Sequence, residues 1–571
     1  MYTASTAFLE ALMEAGVTHL FVNFGSDHPG LIEAIAEARA KGRPVPRVIT
    51  CPNEMAGMSA AQGFAQVSGQ AQAVIVHVEC GTQALAGAVH NAARGRVPML
   101  IFAGASPFTQ EGEMRGSRNE FIQWIQDVHD QRGIVRGYMK YDNEVRTGRN
   151  VKQLVHRAMQ FAGSEPRGPV YLMGAREVME EELAEPVTID PGQWGALAPA
   201  ALPEAAVETI LDAVANTERP LVVTSYVGRN PEAVPELVRF CERLGIGVLE
   251  SVPNAMNFPH DHPLYRGNQW NEPRQNAALA EADCVIVIDS DVPWIPTISR
   301  PAADATIIHL DVDPLKEAMP LWYIGARHAF RTDAATALAQ LNAGIDARQP
   351  AAEVVDRRSR HHAAASAARR EGLVALEAGA PDAITPEFAT ACVRRHIDAD
   401  TIVLNEGITN YPVIFNHMRM TAPGSIFTSG GGSLGWNGGA AIGAKLAAPE
   451  KTIVAMTGDG AYMFSVPSSV HWMAAKYGTP FVQIVYNNRG WKAPRFSAMG
   501  VHPDGYASRA DDLDIGFDPP PRYADIAAAA GGAHARRVER PDEMEAAVAE
   551  AFDMVRNQGR SAVLDVWLAS A

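Results

Sequence analysis

Two polar groups that follow apolar runs in the last third of the chain are the residues best suited to chemistry. The run TIVAM leads into the sequence GDG at 458–460, and PFVQIVY leads, after a gap of 26 residues, into an asparagine pair at 487–488. A carboxylate oxygen and an amide oxygen at an open sheet edge suit Mg²⁺, which keeps water and substrate phosphate in its other positions. We therefore expect a divalent cation that anchors a phosphate.

The elements around these residues predict that Asp459 and Asn488 meet. TIVAM predicts a buried strand, MFSVPSSVHWMAAKYG a crossover helix and PFVQIVYNN the next parallel strand. In a right-handed βαβ unit the carboxyl ends of both strands lie on one edge of the sheet. Gly458 and Gly460 would let a diphosphate approach the backbone near a helix N-terminus. The alternative is a plain turn in which the glycines supply positive φ, but the asparagine pair favours a site.

A second motif suggests a different class of enzyme. Gly430, Gly432 and Gly435 satisfy GxGxxG between a predicted strand and a predicted helix, as a dinucleotide site would. The acidic residue expected alone at the end of the following strand is instead Asp459, which lies inside GDG. The cation and diphosphate interpretation explains both features, and a nicotinamide dehydrogenase remains the alternative from outside that class.

The pattern of elements predicts an α/β fold. Short β-branched runs alternate with Ala-rich helical stretches throughout, which is typical of mostly parallel sheets flanked by helices. We expect three sheet-bearing domains, at 1–185, 200–345 and 381–571, with a linker helix at 346–380. The residues after the asparagine pair show no clear periodicity and predict a long functional loop.

Composition excludes several function classes. The 571 residues carry a formal net charge of −16, which argues against a nucleic-acid partner. The sequence contains no run of eighteen apolar residues, so we expect no membrane span. The opening segment lacks the pattern of a signal peptide, so we expect none. The five cysteines lack CxxC spacing, which indicates neither a zinc site nor disulfides and favours a cytoplasmic location.

The combination of GDG with the asparagine pair resembles the signature of thiamine diphosphate (ThDP) enzymes. The whole chain is similar to the acetolactate synthase, benzoylformate decarboxylase and pyruvate decarboxylase group. This resemblance implies a pyrimidine-binding domain, a Rossmann-like middle domain and a diphosphate-binding domain. It also implies that Mg²⁺ is bound by Asp459, Asn488 and the carbonyl of Gly490. Ala461 stands where related enzymes commonly have Ser, and its backbone N–H would still face the cofactor.

The resemblance assigns roles to residues that spacing alone does not. Glu54 opens a predicted helix, where its charge by itself would only complement the helix dipole. In related enzymes the matching Glu protonates N1′ of the cofactor's aminopyrimidine ring. Leu434 is expected to support the bent cofactor and Thr409 to donate a hydroxyl to the diphosphate. Trp491 would lie beside the thiazolium.

Histidines near the pyrimidine-binding site bear on the reaction. His77, followed by Gly81 and Thr82, matches the HxxxGT arrangement of benzoylformate decarboxylase, in which the His is a proton shuttle. Asp27 and His28 add groups able to titrate near neutrality. We therefore take His77 and His28 with Glu54 as the catalytic candidates.

The resemblance implies a ThDP- and Mg²⁺-dependent decarboxylase or carboligase that acts on a small 2-oxo acid. Alternatives are a lyase that cleaves a 2-hydroxyacyl-CoA or an acyloin, and a catalytically silent ThDP-binding subunit. A homodimer is the expected minimum, and a homotetramer is consistent with the group. The middle domain could hold FAD or ADP, but the absence of a glycine fingerprint and the presence of Pro293 and Trp294 disfavour it.

Overall fold

The computed structural model describes residues 1–348, 350–510 and 512–569. They form three domains in chain order, each built on a six-stranded sheet flanked by helices. Every strand pairing within the three sheets is parallel. The predicted α/β fold is confirmed, whereas the proposed domain limits stay a prediction.

The first sheet has the strand order β2-β1-β3-β4-β6-β5. Its strands are β1 (His19–Val22), β2 (Arg47–Thr50), β3 (Gln72–Val76), β4 (Met99–Ala105), β5 (Asp142–Val145) and β6 (Pro169–Ala175). The helices around it are α1 (Ala4–Glu14), α2 (Pro29–Ala40), α3 (Glu54–Ser68), α4 (Val78–Ala84), α5 (Ala86–Arg94), α6 (Ile122–Ile125), α7 (Val151–Gly163) and α8 (Arg176–Met179).

The second sheet has the strand order β12-β11-β10-β7-β8-β9. The strands are added outward in opposite directions from the central pair β7 and β10, so the strand order reverses between these two parallel strands. Its strands are β7 (Pro220–Thr224), β8 (Gly247–Ser251), β9 (Tyr265–Gln269), β10 (Cys284–Ile288), β11 (Thr306–Asp311) and β12 (His328–Arg331). The helices are α9 (Glu204–Ala215), α10 (Ala233–Leu244), α11 (Ala277–Glu281), α12 (Ala334–Asp346) and the connecting helix α13 (Ala352–Leu376).

The third sheet has the strand order β14-β13-β15-β16-β18-β17. Its strands are β13 (Thr401–Glu406), β14 (Ile426–Phe427), β15 (Thr452–Gly458), β16 (Val482–Asn487), β17 (His534–Val538) and β18 (Ala562–Trp567). The helices are α14 (Pro386–Arg394), α15 (Tyr411–Met418), α16 (Trp436–Ala447), α17 (Asp459–Phe464), α18 (Pro467–Tyr477), α19 (Lys492–Val501), α20 (Tyr523–Gly531) and α21 (Pro541–Arg556).

Two segments next to the GDG and NN motifs differ from the sequence-based expectation. The single crossover helix after GDG is two helices, α17 and α18, because Val466 adopts a positive φ of 54° between them. The long loop after the asparagine pair begins with helix α19. No residue of α19 is fully buried, and its apolar residues Phe496 and Val501 are exposed.

Helices α3 and α16 hold the first and third domains together in one chain. A Cβ on Gly443 would lie 1.8 Å from the carbonyl oxygen of Ala60, and one on Gly63 would lie 2.3 Å from that of Ala440. Only glycine permits backbones this close. The contact fixes α3, which begins at Glu54, against α16, which follows the loop that carries Leu434. In the described part of the chain, no helix has the length and apolar character needed to cross a membrane.

Candidate active site

The GDG turn and the end of β16 lie side by side at the carboxyl edge of the third sheet. Gly458 is opposite Tyr486 in the parallel pairing of β15 with β16. The Asp459 carboxylate accepts hydrogen bonds from the backbone N–H of Gly460, at 2.8 Å, and of Gly490, at 3.2 Å. The structure therefore brings Asp459 beside the backbone that carries Asn488 and Gly490.

The two asparagines have different environments. The Asn487 amide donates to Asp565 on β18 at 2.8 Å and is tied into the sheet. The side-chain oxygen of Asn488 is buried and has no hydrogen-bond partner. A buried acceptor without a donor next to a carboxylate is the arrangement that a bound cation would satisfy. The residues at this corner thus fit Mg²⁺, with Asn488 rather than Asn487 as the amide ligand.

Burial makes the charge of Asp459 costly. Asp459 is 3% exposed. Its burial raises the pKa to about 6, although backbone N–H groups of Gly460 and of residues 488–490 oppose the shift. Within the described residues no cluster of three or more His, Cys, Asp or Glu could hold a metal. A cation here would be bound instead by one carboxylate, one amide and backbone oxygen.

The glycines of GDG provide space rather than unusual backbone angles. Neither Gly458 nor Gly460 has a positive φ, so the plain-turn alternative is wrong in that respect. A Cβ on Gly460 would lie 2.3 Å from the ring of Trp491, which packs directly on this turn. Trp491 also makes an edge contact with Phe517, with ring centroids 4.9 Å apart. Ala461 is buried in the first turn of α17.

Glu406 is a buried carboxylate that the sequence-based reasoning missed. It ends β13, is 1% exposed and accepts backbone N–H bonds from Gly435, Trp436 and Asn437 at 2.8–3.1 Å. Burial raises its pKa to about 7 despite these three bonds. Glu406 therefore already occupies the N-terminus of α16, where a dinucleotide pyrophosphate would have to bind. The GxGxxG stretch does not offer a free anion site.

The loop before α16 is held by the first domain. Asn91 on α5 accepts a hydrogen bond from the backbone N–H of Ser433 at 3.1 Å and donates to the Ser433 carbonyl at 2.8 Å. His90 Nε2 accepts from the N–H of Gly432 at 3.1 Å. These contacts fix the half-buried Leu434 in place. Thr409 lies half-buried across the same edge in the short 3₁₀ turn Ile408–Asn410.

Glu54 is the first residue of α3 and is oriented by a neighbouring strand exit. Asn53 caps the helix by accepting the Ala56 N–H at 3.1 Å. Asn23, just after β1, donates its amide to Glu54 Oε1 at 2.8 Å. Asn23 was not among the predicted site residues. An amide donor facing a half-buried carboxylate keeps one oxygen occupied and leaves the other for a ligand.

Asp27 joins the two candidate histidines. Its Oδ1 lies 2.5 Å from His77 Nδ1 and 3.0 Å from His28 Nδ1, and its Oδ2 accepts the Val78 N–H at 3.0 Å. Burial alone would raise the pKa of Asp27, but the two histidines lower it below its usual range. A Cβ on Gly25 would lie 1.9 Å from the His77 ring, so a side chain at that position would displace it.

The two histidines differ in access. His77 keeps 21% of its side chain exposed, whereas His28 keeps 1%. His28 Nδ1 accepts the Gly25 N–H at 3.1 Å, and its Nε2 is buried without a partner. His77 is therefore the one of the pair that can reach a substrate, and His28 packs behind Asp27.

The pyrimidine side and the diphosphate side are joined through α3, α5 and α16, but in the part of the chain that the structure describes, their proposed catalytic and metal-binding residues do not bond to one another. Across the described ranges, no hydrogen bond or ion pair connects Glu54 or His77 with Asp459 or Asn488.

In the middle domain, a buried ion cluster lies where the strand order reverses. Arg96 of the first domain, 6% exposed, donates to Asp289, Asp291 and Asp311 at 2.8–3.3 Å. Lys316 adds ion pairs to Asp291 and Asp311. A ligand at this switch point would have to displace a paired guanidinium, which makes the usual nucleotide crevice costly to enter.

A cavity of about 440 Å³ lies beside this cluster, at the carboxyl ends of β8 and β9. Trp270 and Trp294 are among its walls. Trp270 stacks on Tyr411 with ring centroids 4.5 Å apart, and Tyr411 begins α15 immediately after the turn that holds Thr409. The sequence pattern gave no indication of this cavity, because its walls come from irregular segments.

Comparison with known proteins identifies the family. Models of the thiamine pyrophosphate enzyme N-terminal binding domain, central domain and C-terminal binding domain match residues 2–134, 207–341 and 407–566. The chain belongs to the thiamine pyrophosphate enzymes. As a member of this family, it is an enzyme that forms or cleaves carbon–carbon bonds.

Relatives of this thiamine pyrophosphate enzyme have several activities. Sulfoacetaldehyde acetyltransferase of Alcaligenes xylosoxydans xylosoxydans is 24% identical over 99% of this chain and 92% of its own. Benzoylformate decarboxylase of Pseudomonas aeruginosa is 26% identical over 90% of this chain and 92% of its own. The structure of a thiamine diphosphate-dependent 4-hydroxybenzoylformate decarboxylase of Rhodococcus jostii RHA1 has the same fold, with a TM-score of 0.77 and 19% identity over 100% of this chain and 99% of that one.

Proposed function

We propose that this enzyme uses ThDP and Mg²⁺ to decarboxylate a 2-oxo acid and returns a proton from His77 to release an aldehyde. The observation that carries the proposal is the Asp27–His77 pair, at 2.5 Å, which provides a stabilised proton donor beside Glu54. A carboligase needs a second carbonyl compound at that position rather than an acid. The proton donor thus favours decarboxylation to the aldehyde.

The chain's own residues divide the work as follows. Asp459, Asn488 and the Gly490 carbonyl would bind Mg²⁺, with Thr409 and the Ala461 N–H on the diphosphate and Leu434 and Trp491 beside the rings. Glu54, oriented by Asn23, would hold a proton at N1′ of the aminopyrimidine. When bound, ThDP supplies a nucleophilic carbon and an electron sink for the pair that the departing CO₂ leaves. Asp27 stabilises the positive charge on His77 until the proton is transferred.

Two copies of the chain would complete the site, and we place the pyrimidine-binding domain of one against the diphosphate-binding domain of the other. In the segment before Gln126, Phe121 and Ile125 are 76% and 69% exposed; on α17, which begins at Asp459, and on α19, Phe464 and Phe496 are 51% and 54% exposed. Apolar patches of this kind mark interfaces. A homodimer is the minimum in this proposal, and a homotetramer of such dimers is compatible with it.

Acyl transfer is the second candidate, because the acetyltransferase relative spans 99% of the chain. The test is incubation of the enzyme, with ThDP and Mg²⁺, with pyruvate, benzoylformate, oxalyl-CoA and 2-hydroxyacyl compounds, with CO₂ and aldehyde measured together. The proposal predicts equal amounts of both from one oxo acid. Release of CO₂ with condensed product but no aldehyde would reject it in favour of transfer, and aldehyde without CO₂ would indicate a lyase.

A variant pair sharpens this test. His77→Asn should slow aldehyde release, whereas His129→Asn, which changes an exposed histidine on the loop after α6, should not. Equal rates in both variants would remove His77 from the reaction.

For the middle domain we propose no resident nucleotide at the switch point, since Arg96 fills it. FAD and ADP should therefore leave the melting temperature unchanged, while ThDP with Mg²⁺ raises it. The cytoplasmic location that the cysteine pattern predicts is part of this proposal.

A further inference from the structure

The His77 ring lies between two polar side chains. Its Nδ1 faces Asp27 Oδ1 at 2.5 Å, and its Nε2 faces the Gln126 side-chain oxygen at 2.8 Å. Gln126 follows α6, and its backbone carbonyl accepts a hydrogen bond from Ser106. His77 Nε2, the ring nitrogen that does not contact Asp27, is thus covered by the Gln126 amide.

A chain of hydrogen bonds fixes which end of that amide faces His77. The Cys80 thiol donates to Glu79 Oε1 at 2.8 Å, so the sulfur is left to accept a hydrogen bond. The Gln126 amide nitrogen donates to this sulfur at 3.3 Å. The amide oxygen must therefore face His77. Because Asp27 and the Gln126 oxygen are both acceptors, each His77 nitrogen has to carry a hydrogen.

We propose that Gln126 is a positioning residue that holds His77 as an imidazolium and occupies the place at Nε2 that a substrate oxygen takes over during proton transfer. The second half of this inference rests on the proposed function, and the first half does not. Gln126 contacts His77 and is not itself assigned a proton to transfer.

The charges around His77 agree with a cationic ring. Asp27 and Glu54 are its acidic neighbours, and Glu79 lies two residues along the chain, on α4. His28 is the other histidine at this site; its Nδ1 lies 3.0 Å from Asp27 Oδ1 on the buried side and accepts the Gly25 N–H. The pKa of His77 is raised, first by the hydrogen bond to Asp27, against an opposing contribution from burial, with Gln126 and Glu54 adding to the rise.

The experiment is a pH titration of His77 by NMR in the full-length protein labelled at histidine Cε1, without cofactor or substrate. The His77 signal is assigned by its loss in His77→Asn. Gln126→Leu should move the titration midpoint down by about one pH unit, because an acceptor for the charged ring is lost. Gln126→Glu should move it up. Gln110→Leu, in the same segment but in contact with Trp124 rather than His77, should leave it in place.

Opposite shifts in the two Gln126 variants cannot arise from general destabilisation. An unchanged midpoint in Gln126→Leu, or shifts of the same sign in both variants, would overturn the inference. The proposed function is tested separately by the basic limb of the kcat/KM profile, which should follow the NMR midpoint in each variant. If the midpoint moves and the basic limb does not, Gln126 sets the state of His77 but His77 is not the proton donor.

Discussion

Replacing Asp459 with Asn should stabilise the enzyme in the absence of cofactor, although it removes the proposed metal ligand. The carboxylate is 3% exposed, and the described residues place backbone N–H groups but no cationic side chain against it. Burial without a counter-charge makes the ionised form unfavourable in the folded state. The ionised Asp459 therefore lowers the stability of the cofactor-free protein, and a bound cation would offset this loss.

The magnitude follows from linkage. The folded pKa of Asp459 is about 6, against an ordinary value of 3.8, and this difference corresponds to about 3 kcal/mol. Because the folded pKa is raised, the folded state binds the proton more tightly than the unfolded state. No penalty exists below about pH 4. It grows between the unfolded and the folded pKa, from about pH 4 to about pH 6, and is complete above about pH 7. Asp459→Asn should show no such loss of stability.

The assay is the melting temperature of both proteins from pH 4 to pH 8, with and without ThDP and Mg²⁺. Without ligands, the variant should melt close to the wild type at pH 4 and several degrees higher at pH 8. With ligands, only the wild type should gain. Asp333→Asn is the control, because Asp333 caps α12 and Asn caps equally well. The reasoning fails if the gap between Asp459→Asn and wild type is the same at both pH values, or if ThDP with Mg²⁺ stabilises the variant equally.

Other substitutions test the remaining parts of the site. Glu54→Gln should lower kcat by roughly 10²–10⁴-fold while ThDP with Mg²⁺ still raises the melting temperature, and unchanged exchange of the cofactor's C2 proton would contradict the role of Glu54. Gly460→Ala should cost about 1–3 kcal/mol in denaturant unfolding, because its Cβ would meet an aromatic ring at 2.3 Å, whereas Gly500→Ala, which has open space, should cost nothing. Phe121→Asp should shift the mass in light scattering toward the monomer and lower activity in parallel, and Leu321→Asp, on an exposed middle-domain surface, should do neither.

The central strands were predictable from the sequence because parallel strands covered on both faces have to be apolar. Four polar strands, β5, β9, β12 and β17, lack the apolar runs by which a strand is predicted. Each lies at the edge of its sheet, as the strand orders show. An edge strand has one neighbour and can expose polar side chains, so alternation and apolar runs fail there.

The residues of the diphosphate side were predictable from local sequence, because Asp459 and Asn488 are related by one βαβ unit whose geometry is fixed by handedness. Glu406 had a weaker signal, an acid at the end of the buried run TIVLNE. Nothing local distinguishes it from a solvated residue. Its partners, the N–H groups of α16, are about thirty residues away.

Side-chain contacts between segments that are distant in the sequence could not be predicted from it. Asn23 with Glu54, and Gln126 with His77, are 31 and 49 residues apart. Neither Asn23 nor Gln126 is unusual in its own segment. Such contacts depend on which loops the fold brings together, which neither periodicity nor motif spacing encodes.

Backbone strain at the strand exits connects these distant pairs to function. Val78, Ile408 and Arg489 have positive φ values of 30°, 57° and 64°, and they lie beside His77, Thr409 and Asn488 respectively. Left-handed backbone is unfavourable for such residues, above all for the β-branched Val78 and Ile408. Strained backbone persists only where surrounding contacts over-determine it. At Val78 one such contact is the bond from its own N–H to Asp27, so the carboxylate that bonds to His77 also helps to hold the turn that follows it.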